Sequence, residues 1–207
     1  MKSNVESKYR YHDSFKIYQG DIFRDVNLII EYSNDGNKEF LMPYIIILSQ
    51  DCDLNEDYNS YNEYLVMNDE LDLLEIEFDE STKKVSKEVK SMYDKLIPSV
   101  LVCPAFPAEQ LRNGIHLKNF NNFAMQYLNS NMWSRVTSNQ DVRYHYLDGC
   151  IDFQIPELVV DFKRYYTVPT SYLYSIFKKS YVGSLNELYR ERFSQRFVNY
   201  LSRIGLP

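Results

Sequence analysis

The chain has 207 residues, a net charge of −6, 15% aromatic residues and three cysteines. This length allows one domain with a substantial core, and the acidic total excludes a nucleic-acid binder that is basic throughout. Three cysteines without close spacing argue against a secreted disulfide scaffold. The first residues lack the apolar segment of a secretory signal, and no window is long enough for a membrane span. We therefore expect a cytoplasmic protein without membrane contact.

Charge is distributed unevenly along the sequence. Residues 51–80 contain twelve acidic and no basic residues, whereas residues 161–207 contain eight basic and three acidic residues. The two regions could attract each other or contact different partners. Alternatively, both are solvent-exposed faces of opposite sign.

The first half of the chain has the pattern of antiparallel strands. Residues 1–14 are polar and aperiodic, so we predict a flexible N-terminal arm before a single domain over residues 15–207. Short apolar runs then alternate with turn signals, and an Asp-Gly pair at residues 35–36 supplies the positive φ of a tight hairpin. The predicted strands are residues 15–19, 27–32, 39–48, 64–67 and 74–78.

The second half mixes helices with strands. Ser81 can cap a helix that reaches about residue 95, and residues 107–112 begin with a helix-initiating proline. The other predicted elements are strands at 99–104, 140–147 and 158–168 and helices at 120–128 and 170–179.

The last element is the most regular one. Residues 184–187, Ser-Leu-Asn-Glu, match a capping box, and an apolar stripe follows from Leu185 to Ile204. These patterns together predict an α+β fold. A curved, mainly antiparallel sheet or a small barrel packs with two or three helices, including a long C-terminal helix.

The first candidate site lies where the apolar run 44–48 ends in a predicted polar loop, Asp51-Cys52-Asp53. An exposed thiol can act as a nucleophile if a base is near, and His145 is the candidate base. The two aspartates disfavour the thiolate, so a structural cysteine is the alternative. Asp51 and Asp53 could instead bind Mg²⁺ or Mn²⁺ with Asp21 for phosphodiester hydrolysis, or serve as ordinary turn residues.

A zinc site is disfavoured, because no closely spaced cysteine pair is present and distant ligands would have to converge. Those ligands would come from Cys52, Cys103, Cys150, His12, His116 and His145. We therefore assign no metal site, and the sequence indicates no cofactor.

Two further sets of residues could bind anions. Arg143 and His145 are two apart in a predicted strand and would share one face, either as an anion or base clamp or as an ordinary polar strand face. The polar side of the last helix could contact phosphates or an acidic partner, or simply face solvent. Its arginines are Arg190, Arg192, Arg196 and Arg203.

Two short patterns resemble known families. Gly20-Asp21-Ile22 followed by residues 43–49, Pro-Tyr-Ile-Ile-Ile-Leu-Ser, resembles the opening of MazF/PemK-like toxin barrels, which are small SH3-like endoribonucleases. That family usually has Arg-Pro where this chain has Met42-Pro43, and the arginine belongs to its RNA-cleaving site. The chain also resembles uncharacterised bacterial proteins with a Gly-Asp-Ile-Phe start, a Ser-Gln-Asp-Cys-Asp loop and a C-terminal Arg-Phe…Arg-Ile-Gly-Leu-Pro, here residues 196–197 and 203–207.

Two functions are compatible with these patterns. The first is a binding or adaptor module, such as one in a bacterial antiviral defence or toxin–antitoxin system, that contacts a protein or nucleic-acid partner. The alternative is a metal- or Cys/His-dependent nuclease-like hydrolase. Its site would unite Asp51, Cys52, Asp53, Arg143 and His145. We favour the binding module, because no constellation in the sequence is specific enough to require catalysis.

Overall fold

The computed structural model describes residues 7–31, 38–60, 95–118 and 124–203. In these ranges the chain forms an α+β fold, in which helices pack on an antiparallel sheet of eight strands, as the sequence predicts. No helix there is both long and apolar enough to cross a membrane. The predicted turn at 33–37, the strands at 64–67 and 74–78 and the helix from Ser81 lie outside the described residues.

The elements are as follows in chain order. The strands are β1 (Tyr9–Arg10), β2 (Asp21–Glu31), β3 (Lys38–Ile47), β4 (Ser99–Pro107), β5 (Tyr144–Leu147), β6 (Leu158–Asp161), β7 (Tyr166–Pro169) and β8 (Tyr181–Leu185). The helices are α1 (residues 51–60), α2 (Ala108–Arg112), α3 (Ser130–Thr137), α4 (Thr170–Ser180) and α5 (Glu187–Leu201). A 3-10 turn, Phe162–Arg164, separates β6 from β7.

The sheet runs in the order β1-β8-β2-β3-β4-β6-β5. β4 pairs with β3 on one edge, and on its other edge it pairs with β6 near its end and with β7 near its start. The single strand predicted over residues 158–168 is therefore wrong. The chain turns after Asp161, and as a result two short strands, β6 and β7, share one edge of β4.

Strand β3 is buried on both faces, which explains its uninterrupted apolar run. Ile45 and Ile47 belong to the core cluster under α4, which includes Leu173 and Phe177. Ile46 belongs to the opposite cluster, which α5 covers with Phe193 and Phe197. Successive strand residues point to opposite faces, so α4 and α5 cover the two sides of the sheet. The predicted buried strand over residues 44–48 is confirmed up to Ile47.

The C-terminal helix is present, but its predicted cap is wrong. Asn186 is the N-cap and its side chain accepts the Glu187 N–H at 2.7 Å. Ser184 lies in β8, because this stretch pairs with both β1 and β2. The apolar stripe is also narrower than predicted, since Leu188 is 66% exposed and Leu201 is 50% exposed.

Packing against the core begins nearer the N-terminus than predicted. Tyr9 is buried and its strand pairs with β8, so residues 7–14 do not form the flexible arm that we expected. Residues 15–19 are not a strand, although Ile17 is fully buried. Residues 124–128 are not helical either, and a helix that was not predicted, α3, begins at Ser130.

Candidate functional site

Asp51, Cys52 and Asp53 occupy the first turn of α1, so the predicted loop is wrong. Asp51 accepts the Gln19 backbone N–H at 2.7 Å and pairs with Arg190 of α5. Residues two apart on a helix point in widely different directions, unlike the same pair on a strand. Asp51 therefore links three parts of the fold, while Asp53 faces solvent.

This geometry removes the basis for the carboxylate metal site. Asp51 and Asp53 diverge, and both acceptor oxygens of Asp51 are occupied by protein donors. Across the ranges that the structure describes, no group of three or more His, Cys, Asp or Glu side chains could hold a metal ion.

Cys52 is exposed, but its surroundings favour the thiol over the thiolate. Its Sγ lies 3.4 Å from an Asp53 carboxylate oxygen and 3.6 Å from the Gln50 side-chain oxygen. The hydrogen bond to Asp53 raises the pKa of the Cys52 thiol, with smaller contributions from desolvation and from the Asp53 charge. A nucleophilic cysteine needs a lowered pKa, so Cys52 is not activated here.

Arg143 lies just before β5 and is committed to a buried ion pair. Its guanidinium donates twice to Asp161, from Nε at 2.7 Å and from Nη2 at 2.6 Å. Arg164 lies 3.4 Å from the same carboxylate, which is fully buried. Asp161 raises the pKa of Arg143 through these hydrogen bonds. Because its charge is already neutralised, Arg143 holds the turn after β6 rather than a ligand.

His145 is only 4% exposed and packs between the rings of Phe162 and Phe193, at centroid distances of 6.1 and 5.3 Å. Burial, with smaller contributions from the positive charges of Arg196, Arg192 and Lys8, lowers the pKa of His145 to about 3. The ring is therefore neutral near pH 7. Its Nδ1 is buried and has no hydrogen-bond partner among the described residues.

The five predicted catalytic residues do not converge in the described contacts. Asp51 bonds to Gln19 and to Arg190 of α5. The Cys52 thiol contacts its sequence neighbours Gln50 and Asp53. Arg143 contacts Asp161, and His145 packs in the core cluster on the α5 side of the sheet.

A cavity of about 220 Å³ lies beside His145, and we refer to it as the His145 cavity. Four elements meet there: the N-terminal segment, the end of α3, the edge strand β5 with its flanking turns, and α5. Its lining residues are Lys8, Thr137, Asn139, His145, Tyr146, Leu147, Asp148, Tyr189 and Arg192. Two side chains are cationic, one is anionic and the imidazole is neutral, so the net charge of the lining is positive.

The cations of the cavity differ in their partners. Lys8 pairs with Asp148, and its ammonium lies 5.6 Å from the centroid of the Tyr189 ring. Arg192 is exposed and pairs with no carboxylate within the described part of the chain. An anion that entered the cavity would meet one unpaired guanidinium and one lysine that is shared with Asp148.

The four candidate arginines of the last helix divide into two pairs. Arg190 binds Asp51, and Arg196 donates from Nη2 to the backbone carbonyls of Asp141 and Tyr144 at 2.6 and 2.8 Å. Both are therefore internal anchors and not part of a free surface. Arg192 and Arg203 are exposed.

Along α5, a set of tyrosine and arginine side chains forms one stripe, which we call the basic flank. Its members follow at intervals of three or four residues, which places them on one side of a helix. Arg203, just past the helix end, lies over Tyr200 with its guanidinium carbon 4.5 Å from the ring centroid. The acidic residues Glu187 and Glu191 are outside this series. The basic flank comprises Tyr189, Arg192, Arg196, Tyr200 and Arg203.

A buried carboxylate cluster around Asp21 was missed by sequence reasoning. Asp21 is fully buried and accepts from the Tyr18 N–H at 2.8 Å and from the Ser184 hydroxyl at 2.5 Å. His12 Nε2 lies 3.1 Å from the same carboxylate. Burial raises the pKa of Asp21, and these donors partly offset the shift. The Gly20-Asp21 pair was a visible signal, but its partners are distant in sequence.

The Asp21 cluster contains Ser, His and Asp, but not in the order of a catalytic triad. The carboxylate lies between the other two, so Ser184 donates to Asp21 and not to a base. The second ring nitrogen of His12 lies 3.0 Å from the Ser14 carbonyl, so both ring nitrogens face acceptor oxygens and neither faces the Ser184 hydroxyl. The cluster therefore ties the N-terminal segment to β2 and β8 and does not activate a nucleophile.

No protein-family model matches the chain, and neither the curated proteins nor the solved structures contain a significant match. The two resemblances and the bacterial systems that they imply stay predictions. The His145 cavity and the basic flank are therefore the two features from which we infer a function.

Proposed function

We propose that this protein is a binding module whose basic flank holds an acidic segment of a protein partner. The observation that supports it is the flank itself, which places two exposed arginines, Arg192 and Arg203, beside two tyrosines along one side of α5. Lys8 adds a further cation beside Tyr189. Arginine and tyrosine are enriched among the residues that contribute most to binding at protein interfaces.

A protein partner fits the overall charge better than a nucleic acid does. The chain carries a net charge of −6, and residues 51–80 hold twelve acidic and no basic residues. Such a field repels a long polyanion during approach, whereas a short acidic segment needs only the local potential of the flank. Single-stranded nucleic acid, which also uses basic and aromatic side chains, is the alternative that the same assay tests.

The hydrolase alternative has no observation in its favour among the described contacts. Asp51 is held by Arg190, and Cys52 has a raised pKa. His145 is neutral and packs against Phe162 and Phe193, and no described contact joins it to Asp51 or Cys52.

The test measures binding of a short fluorescent peptide rich in Glu and Asp by anisotropy, with an oligothymidylate of equal charge in parallel. Binding should weaken as salt rises, because the attraction is electrostatic. Reversing the two exposed arginines together, Arg192→Glu with Arg203→Glu, should weaken peptide binding by roughly tenfold or more.

A matched control changes the same charge elsewhere. Lys178→Glu with Lys179→Glu alters two exposed residues at the end of α4, which covers the opposite face of the sheet. This control should bind the peptide like the unmodified protein. Equal loss in both double variants, or a preference for the oligonucleotide, would contradict the proposal.

A further inference from the structure

We propose that the His145 cavity is a phosphate subsite, which takes a phosphomonoester group such as a phosphorylated side chain of the partner. The assignment deepens the proposed function, since the cavity lies where Tyr189 and Arg192 of the basic flank meet β5. It stands on separate evidence, namely a cavity of about 220 Å³ lined by a buried imidazole and two cations.

The cavity has the size for such a group. Its volume is about 220 Å³, whereas one water molecule occupies about 30 Å³ in the liquid. A tetrahedral oxyanion therefore fits together with bridging waters. The cavity is also polar, with two tyrosines, a threonine and an asparagine in its lining.

His145 supplies a donor that is fixed in place. Its Nδ1 is sealed in the protein and has no partner among the described residues, so Nε2 is the nitrogen that can donate to a ligand. Packing against Phe162 and Phe193 holds the ring in one orientation. The Asn139 side chain accepts the Tyr146 N–H at 2.8 Å and donates to the Tyr146 carbonyl at 3.0 Å. These bonds fix the edge of β5 next to the ring.

The cations favour a dianion over a carboxylate. Arg192 offers a planar fork of donors that matches phosphate oxygens, and Lys8 offers a mobile ammonium. A phosphomonoester carries nearly two charges at pH 7, so it can compete with Asp148 for Lys8 while it binds Arg192. A single carboxylate would neutralise only one of the two cations.

Asp148 provides a test of this electrostatic balance. It is the one acidic residue in the described lining, and its side chain is 53% exposed. Asp148→Asn removes the competitor for Lys8 and a repulsive charge, so phosphate binding should become tighter. A cavity that serves only the fold would show no such gain.

The experiment titrates the full chain with inorganic phosphate, phosphoserine and acetate, and follows the His145 ring by NMR and the heat of binding by calorimetry. Phosphate and phosphoserine should saturate and shift the His145 resonances, and acetate should bind more weakly. Arg192→Gln should weaken phosphate binding by about tenfold or more, which corresponds to the loss of one charge-assisted hydrogen bond. Lys178→Gln, which changes an exposed lysine of α4 that is absent from both the cavity lining and the basic flank, should leave phosphate binding unchanged.

The outcomes separate this inference from the proposed function. If the acidic peptide binds but phosphate neither saturates nor shifts His145, the phosphate subsite is wrong and the flank proposal stands. If phosphate binds with the expected variant effects but no peptide binds, the subsite stands and the flank proposal is wrong. Equal effects of Arg192→Gln and Lys178→Gln on phosphate would also overturn the subsite. A phosphoserine placed within the acidic peptide should bind more tightly than either part alone, and no gain would overturn the phosphorylated side chain as the source.

Discussion

Acidification should destabilise this protein through the buried imidazole of His145. In the folded state the pKa of His145 is about 3, against about 6.5 for an unperturbed histidine. Between these two values the unfolded chain binds more protons than the folded one, so stability falls as the pH falls. The contribution of His145 is complete above about pH 6.5 and is lost progressively toward pH 3.

The size of the effect follows from the displacement of the pKa. One pH unit corresponds to about 1.4 kcal/mol, so at about pH 5 His145 alone should lower the free energy of unfolding by about 2 kcal/mol. His116, whose pKa burial lowers to about 4, acts with the same sign. Asp21 and Asp57 act with the opposite sign, because burial raises the pKa of each carboxyl. The His145 share must therefore be isolated by comparison with a variant.

The assay is urea unfolding at about pH 7 and about pH 5, followed by the fluorescence of Trp133, the single tryptophan of the chain. His145→Gln and His145→Phe both remove the titrating group, and the second keeps an aromatic ring among Phe162 and Phe193. Whatever their stability at pH 7, both variants should lose about 2 kcal/mol less than the unmodified protein on acidification. An equal loss in all three proteins would refute the argument that His145 is neutral because it is buried.

Two other predictions test the remaining candidate residues. Asp161→Asn should lower the free energy of unfolding by about 3–5 kcal/mol, because it leaves the Arg143 guanidinium without its buried counterion; urea unfolding measures this, and the exposed Asp152→Asn should change stability little. Asp53→Asn should speed the alkylation of Cys52 by iodoacetamide near neutral pH, since the Asp53 carboxylate raises the pKa of that thiol. Mass spectrometry of the Cys52 peptide gives the rate, Glu109→Gln is the control, and an unchanged rate would show that Asp53 does not govern the thiol.

Local pattern was sufficient where a segment's own composition decides its structure. The Ile45-Ile46-Ile47 run indicated a buried strand, and in the structure β3 lies between two core clusters. The apolar spacing of residues 170–179 indicated a helix, and α4 spans Thr170–Ser180. In both segments, the pattern of apolar and polar residues among sequence neighbours is enough to predict which side chains are buried.

Local pattern was insufficient where two structures suit the same residues. Ser184 suits a helix cap, but it lies in β8 and donates to Asp21, 163 residues earlier in the chain. Asp51-Cys52-Asp53 suits a polar loop, but α1 begins there, and Arg190 fixes the direction of Asp51. Each outcome depends on a partner distant in sequence, which no local window contains.

The candidate site was predictable only in part. The sequence indicated that the arginines of the last helix and His145 could bind anions, and these residues meet at the His145 cavity through Arg192. It did not indicate Lys8 or Tyr189 as neighbours of His145, because four separate elements must pack together before the cavity exists. It also could not tell that Arg190 and Arg196 are used internally.

The sequence by itself determined the α+β class, the central apolar strand and the presence of a long C-terminal helix, because hydrophobic periodicity and turn chemistry act over a few neighbouring residues. Only the tertiary structure decided which charged side chains are paired inside the fold and which are exposed. Arg190 and Arg143 pair with Asp51 and Asp161, whereas Arg192 pairs with no carboxylate among the residues that the structure describes. That division depends on which elements lie side by side, and therefore on contacts between residues far apart in the chain.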